Sequence, residues 1–213
     1  MEQIITNPAI EQYIDQQKSP ADALLLSVER ATHLKAMSPQ MLSGQTQGNF
    51  LSIIALMMRP RRVLEIGTYT GFSALCMAEG LASDGLIYTL EANPEIAPMA
   101  QEHFSMSRYS DKIVFKIGDA REIIPSLDET WDLVFIDADK TSYCDYYDMV
   151  IDRLRPGGII LADNVLWYGK VLENKMDKKT KVLHEFNKKL ANDARVKCVI
   201  LPLRDGINMA IKL

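Results

Sequence analysis

The sequence predicts an α/β fold: helices first, then a mostly parallel sheet covered on both faces and finished by a C-terminal antiparallel hairpin. Three observations carry this. Before Arg61 the apolar residues recur at helical spacing. After Arg61, short and almost continuously apolar runs alternate with helical segments, as parallel strands buried on both faces require. At the end, two apolar runs are separated only by Arg204-Asp205-Gly206, a joint of hairpin size.

The elements follow in order. Ile4 to Gln17 reads as one helix. Ser19-Pro20-Ala21-Asp22 reads as the start of a second, with Ser19 at the N-cap and Pro20 at the first helical position, running through Leu24, Leu25, Val28 and Ala31 to about Lys35. Pro39 opens a third, which continues through Phe50, Ile53, Ile54 and Met57 until Pro60 stops it. Strands are expected at Val63–Ile66, Leu86–Leu90, Ile113–Ile117, Leu133–Ile136 and Gly158–Leu161. Helices between and after them begin near Gly71, Pro94, Ala120, Tyr143 and Asp177. Val196–Leu203 and Ile207–Leu213 make the closing hairpin.

The 213 residues, 47% hydrophobic, suffice for one sizeable core and not for two enzyme-sized domains. The expected unit is therefore 1–213, with 1–60 as N-terminal helices serving a substrate site and oligomer contacts, and 61–213 as the α/β core. A net charge of −4 argues against a nucleic-acid partner and against anionic membranes. Lys175, Lys178, Lys179 and Lys181 around Asp177 read as a solvated run. Cys76, Cys144 and Cys198 are odd in number and lack a CxxC pair, which disfavours a disulfide framework or zinc site and fits a reducing compartment. No basic leader and no apolar stretch of about 18–20 residues is present, so a cytoplasmic protein is expected. His33, His103 and His184 are too scattered for a ligand set. Trp131 reads as packing, Trp167 as a site wall or an interface residue, and Met57 and Met58 as core filler.

Open α/β sheets bind ligands at the carboxyl ends of their strands. Those ends carry Gly67 to Gly71, Glu91, Gly118-Asp119-Ala120, Asp137-Ala138-Asp139-Lys140 and Asp163-Asn164. In Glu65-Ile-Gly67-Thr-Tyr69-Thr-Gly71-Phe-Ser73, the glycines let backbone amides approach a ligand, and the helix that follows aims its N-terminal N–H groups at it, which suits a carboxylate. The spacing G-x-x-x-G is not the dinucleotide fingerprint, which disfavours a nicotinamide dehydrogenase. Glu91, at the end of the second strand, can accept hydrogen bonds from both hydroxyls of a ribose. Asp119-Ala120 can flank an adenine, with Asp119 near its exocyclic amine. Taken singly, Asp163-Asn164 also suits a strand-end turn, and Asp137 and Asp139 also suit helix N-caps. Clustered acids on two adjacent strand ends are harder to explain structurally.

In sequence, VLEIGTYTGFSA, FIDADK, ADNVLW and LPLRDGINMAI resemble the motifs of class I, metal-dependent O-methyltransferases of the caffeoyl-CoA and catechol type. The resemblance runs from about Met37 to the C-terminus. It implies a Rossmann-like seven-stranded sheet with its last strand antiparallel, S-adenosylmethionine (SAM) as methyl donor, and commonly a homodimer. It assigns Asp137, Asp163 and Asn164 to the metal. Ser43, Glu65, Gly67, Tyr69, Ser73, Glu91, Ala120 and Asp139 fall to SAM, and Lys140 is placed as general base. Two carboxylates and an amide oxygen form a hard oxygen shell suited to Mg²⁺, Mn²⁺ or Ca²⁺ and leave positions open for a vicinal diol. In this reading Asp137 and Lys140 are the catalytic pair, and Lys140 becomes a base if a cation and burial lower its pKa. The acceptor side departs from the family: the N-terminal region is shorter than in the plant enzymes, and Tyr168 stands where the caffeoyl-CoA enzymes carry an Asn after Trp167. The expected acceptor is a catechol-like small molecule. The alternatives are a wobble 5-hydroxyuridine of tRNA, for which Lys170, Lys175, Lys178, Lys179 and Lys181 would form the basic surface, and a non-catalytic nucleoside-binding protein.

Overall fold

The computed structural model describes residues 7–20 and 22–213. Helix α1 spans Pro8–Gln16, with Asn7 Oδ1 accepting the Ala9 N–H at 2.9 Å. The expected start at Ile4 lies outside the described residues. Helix α2 spans Ala23–Lys35, and its cap is Asp22 rather than Ser19: Asp22 Oδ1 accepts the Leu24 N–H at 2.7 Å. A carboxylate satisfies a free N–H and also complements the helix dipole, so it wins over the earlier Ser-Pro signal. Pro39–Met41 forms only a 3₁₀ turn, and α3 proper runs Gly44–Met58. Arg59 then takes a left-handed conformation (φ 49°) and ends the helix ahead of Pro60. Met58 packs on the core, but Met57 is exposed, which corrects its reading as core filler.

Seven strands form one sheet: β1 (Arg62–Ile66), β2 (Leu86–Glu91), β3 (Ile113–Ile117), β4 (Trp131–Ile136), β5 (Leu154–Ala162), β6 (Val196–Leu201) and β7 (Ile207–Lys212). Their order is β3-β2-β1-β4-β5-β7-β6. The first five are parallel, and β7 pairs antiparallel with both β5 and β6. The intervening helices are α4 (Phe72–Ala78), α5 (Ala97–Ser105), α6 (Ala120–Ser126), α7 (Tyr143–Ile151) and α8 (Lys178–Asn192).

Alternation along the buried strands divides the core into two layers. Leu64, Val134 and Ile160 face a layer with Trp131, Tyr147 and Phe186. Val63, Leu133 and Leu161 face the other, with Leu51, Phe72 and Phe104. Trp131 packs edge-on against Tyr88, with ring centroids 5.5 Å apart. The N-terminal helices join the second layer where α3 meets α4. There a β-carbon on Gly48 would stand 2.8 Å from the Phe72 ring and 2.9 Å from Cys76 Sγ, so the two helices touch almost backbone to side chain. Among the described residues no helix is long and apolar enough to cross a membrane.

The strand order reverses between β1 and β4, which opens a crevice at their carboxyl ends.

Candidate active site

A cleft of about 1460 Å³ occupies that crevice. Its walls include Ser43, Gly67, Tyr69, Ser73, Glu91, Asp119, Ala120, Asp137, Asp139, Lys140, Asp163 and Asn164. Of the residues assigned from the sequence to SAM, the metal or catalysis, only Glu65 is not part of its lining; Gly71 and, among the lysines of the basic run, Lys170, Lys175, Lys178 and Lys181 also lie outside it.

On one side lies the turn after β1. Gly67 and Gly71 have φ of 102° and 86°, and Tyr69 is also left-handed at 50°. Glu91 Oε2 accepts the Tyr69 N–H at 2.7 Å and Oε1 accepts the Asn93 N–H at 2.8 Å. The carboxylate therefore braces the turn while each oxygen retains a lone pair for a ligand. Burial raises its pKa. The Tyr69 hydroxyl donates to the Ser38 carbonyl at 2.8 Å and so joins the turn to the segment before α3.

Glu65 sits behind this wall. It has no exposed surface and accepts hydroxyl hydrogens from Ser73 (2.5 Å) and Thr89. Burial pushes its pKa up to about 8, against the two hydroxyl bonds that favour its charge. It reaches the cleft only through Ser73. Asp119 caps α6 at Arg121 N (2.8 Å) and pairs with the Arg121 guanidinium at 2.5 Å, which holds its pKa below the usual range. Its carboxylate is thus already engaged. Asp139 accepts the Thr141 hydroxyl.

On the other side the strand ends continue in register. Asp137 N–H donates to the Ile66 carbonyl, and Asp163 N–H donates to the Ile136 carbonyl, each at 2.9 Å. Ile136 pairs with Ala162, so Asp137 and Asp163 follow as neighbours on the same pleat. Asp163 is almost fully buried; burial and the Asp137 charge both raise its pKa. Asn164 follows it in a left-handed conformation, φ 58°. These are all-oxygen donors on adjacent strand ends. Two carboxylates and an amide oxygen are the hard donors that a divalent ion such as Mg²⁺ takes, so the chemistry of the residues present fits one.

Lys140 Nζ donates to Asp137 Oδ1 and to the Tyr143 hydroxyl, both at 2.8 Å. The lowering of its pKa expected from the sequence is tied to a bound cation as well as to burial. Burial does act downward, but Asp137 and Asp163 outweigh it and hold Lys140 charged.

Four further residues complete the site. Tyr143, fully buried, takes the Lys140 bond and donates to the Asp163 carbonyl at 2.9 Å. Gln47, also fully buried, donates from Nε2 to Asp163 Oδ2 at 2.8 Å. Arg204 Nη1 donates to the Leu42 carbonyl at 3.0 Å and to the Ser43 carbonyl. Asp205 Oδ1 accepts the Tyr168 N–H at 2.5 Å and pins a segment in which Trp167 and Tyr168 are left-handed; both residues line the cleft. One signal for Gln47 was present in the sequence: it falls on the helical stripe of Leu51, Ile54 and Ala55, where a polar residue needs a buried partner.

The sequence model of the O-methyltransferase family matches residues 16–213. The chain is 32% identical to a catechol O-methyltransferase of Niastella koreensis over 95% of its own length and 96% of that relative's. It is 32% identical to caffeoyl-CoA O-methyltransferase 5 of Nicotiana tabacum, covering 81% of this chain and 78% of the relative. Among solved structures, an O-methyltransferase from Bacillus cereus in complex with SAH superimposes with a TM-score of 0.89 at 30% identity, over 96% of this chain and 97% of that one.

Proposed function

The chain belongs to the O-methyltransferase family, and from that premise we propose that it methylates a hydroxyl of a catechol-like small molecule, using SAM and a divalent cation. The observation that carries this is the juxtaposition of two half-sites in one cleft. The Gly67–Gly71 turn with Glu91 lies on one side, and Asp137, Asp163 and Asn164 lie on the other.

The turn and Glu91 bind the nucleoside. Glu91 offers its free lone pairs to ribose hydroxyls, and Ala120, buried beside the capped end of α6, offers an apolar flank for adenine. SAM supplies an electrophilic methyl on a sulfonium. Asp137, Asp163 and Asn164 would hold Mg²⁺ or Mn²⁺. A divalent ion there supplies Lewis-acid charge that acidifies an acceptor hydroxyl. Transfer replaces O–H by O–CH₃, converts the sulfonium to a thioether and releases one proton. Lys140 keeps its own proton while Asp137 and Asp163 are unneutralised, so a base role for Nζ is tied to occupation of the site. Trp167, Tyr168 and Met41 exclude water from the acceptor side, where correct approach of the two reactants contributes several kcal/mol.

The connection between α2 and α3 contributes Met37, Met41 and Leu42 to the cleft, which supports service of the N-terminal region to the substrate site within one domain. The proposal extends to a cytoplasmic homodimer. Three separate free cysteines suit a reducing compartment, and exposed Ile53 and Met57 give α3 an apolar face for a second copy.

The test is transfer of a labelled methyl group from SAM to a panel of catechols, with and without EDTA. Transfer that vanishes with EDTA and returns with Mg²⁺ or Mn²⁺ is expected; metal-independent turnover overturns the metal assignment. Undermodified tRNA belongs in the same assay, because Lys179 lines the cleft. Labelling of tRNA without labelling of any catechol would replace the acceptor.

A further inference from the structure

Gln47 has no exposed surface, and its buried amide needs partners at both ends. Nε2 donates to Asp163 Oδ2 at 2.8 Å, and Arg204 Nη1 stands 3.4 Å from Oε1. The other carboxylate oxygen of Asp163 accepts the Asn164 N–H at 2.7 Å. Each oxygen of Asp163 therefore has one protein donor, and one lone pair on each remains free.

The helix that presents Gln47 has little freedom to shift. Its next residue, Gly48, is pressed against Phe72 and Cys76 of α4. Arg204 holds the carbonyls of Leu42 and Ser43 just ahead of it. The amide is thus fixed from outside the sheet that carries Asp163.

We infer that Gln47 is a positioning residue of the metal site, whose side-chain amide sets the rotation of the Asp163 carboxylate so that its free lone pairs face the cation. This rests on the metal reading above. It makes the N-terminal helices part of the ion's support as well as a wall for the acceptor. Groups that orient metal ligands in this way tune affinity without touching the ion.

Titration with Mn²⁺ alone, following the free ion by electron paramagnetic resonance, tests it on the whole chain. The variants are Gln47→Met, which keeps the length and removes the donor, and Gln47→Leu in case the first fails to fold. SAH affinity, measured without metal, is the control that a merely structural loss would also move. Mn²⁺ affinity should fall roughly tenfold or more while SAH affinity stays within about twofold. Unchanged Mn²⁺ affinity in the variants overturns the inference alone. Parallel loss of both affinities, or failure of both variants to fold, marks a structural role and also overturns it. A wild-type chain that binds no Mn²⁺ overturns the metal reading and the inference together.

Discussion

A β-carbon on Gly67 would stand 2.0 Å from the carbonyl oxygen of Asp137. The turn proposed to hold the nucleoside and the position proposed as the first metal ligand are therefore in backbone contact, and no side chain fits between them. Gly67→Ala must also adopt a φ of 102°, a conformation that costs about 1–3 kcal/mol for a residue with a side chain. Displacement of the β4 end adds to this. The expected result is a melting temperature lower by at least about 5 °C, read by calorimetry. An unchanged melting temperature would show that the turn relaxes freely.

Glu91 braces Tyr69, and its remaining lone pairs are proposed to meet the nucleoside. Glu91→Ala should weaken SAH binding by roughly tenfold to a hundredfold, as expected for lost charged hydrogen bonds. Mn²⁺ binding should not change. Titration calorimetry with each ligand separates the two; equal SAH affinity would remove Glu91 from the binding set.

Asp163→Ala removes one donor of the proposed metal half. Methyl transfer to catechols should drop by at least about a hundredfold, with SAH affinity retained. Transfer near the wild-type rate would dissociate the carboxylate pair from the chemistry.

Glu65 makes stability depend on pH. Its carboxyl has an ordinary value of 4.5 and is raised to about 8 in the fold. Below 4.5 it is neutral in both the folded and unfolded chains. Between 4.5 and about 8 the unfolded chain ionises first, so stability falls, by at most about 1.4 kcal/mol per pH unit. Above that window the difference is constant. Denaturant melts from pH 4 to 9 should show this slope in the wild type and a flatter curve in Glu65→Gln. Parallel curves would mean that Glu65 ionises normally inside the fold.

The sheet was legible because its strands are apolar almost without interruption and its helices alternate with them; even the reversed β7 announced itself through the Arg204-Asp205-Gly206 turn. The cleft residues were legible because strand ends are fixed by strand positions. What escaped was decided mainly by contacts between distant segments, with the start of α2 as a local exception. Asp22 overrode Ser19 as a cap through a local hydrogen bond. Tyr143 reads as a core aromatic until its hydroxyl is seen between Lys140 and the Asp163 carbonyl. Gln47 meets Asp163 across 116 positions, a pairing no local pattern encodes.

Arg204 grips the Ser43 carbonyl across 161 positions of chain. A ribosome adding about 5–20 residues per second releases the first partner on the order of ten seconds before the second exists. Throughout that interval the nascent chain can lay down its central parallel strands and bring Tyr69 to Ser38 and Gln47 to Asp163, yet the segment before α3 lacks its Arg204 clasp until the end of the chain emerges. The cleft is thus closed off after its scaffold, and a nascent chain stalled before Arg204 would carry the turn after β1 with the opposite wall held by two contacts instead of three.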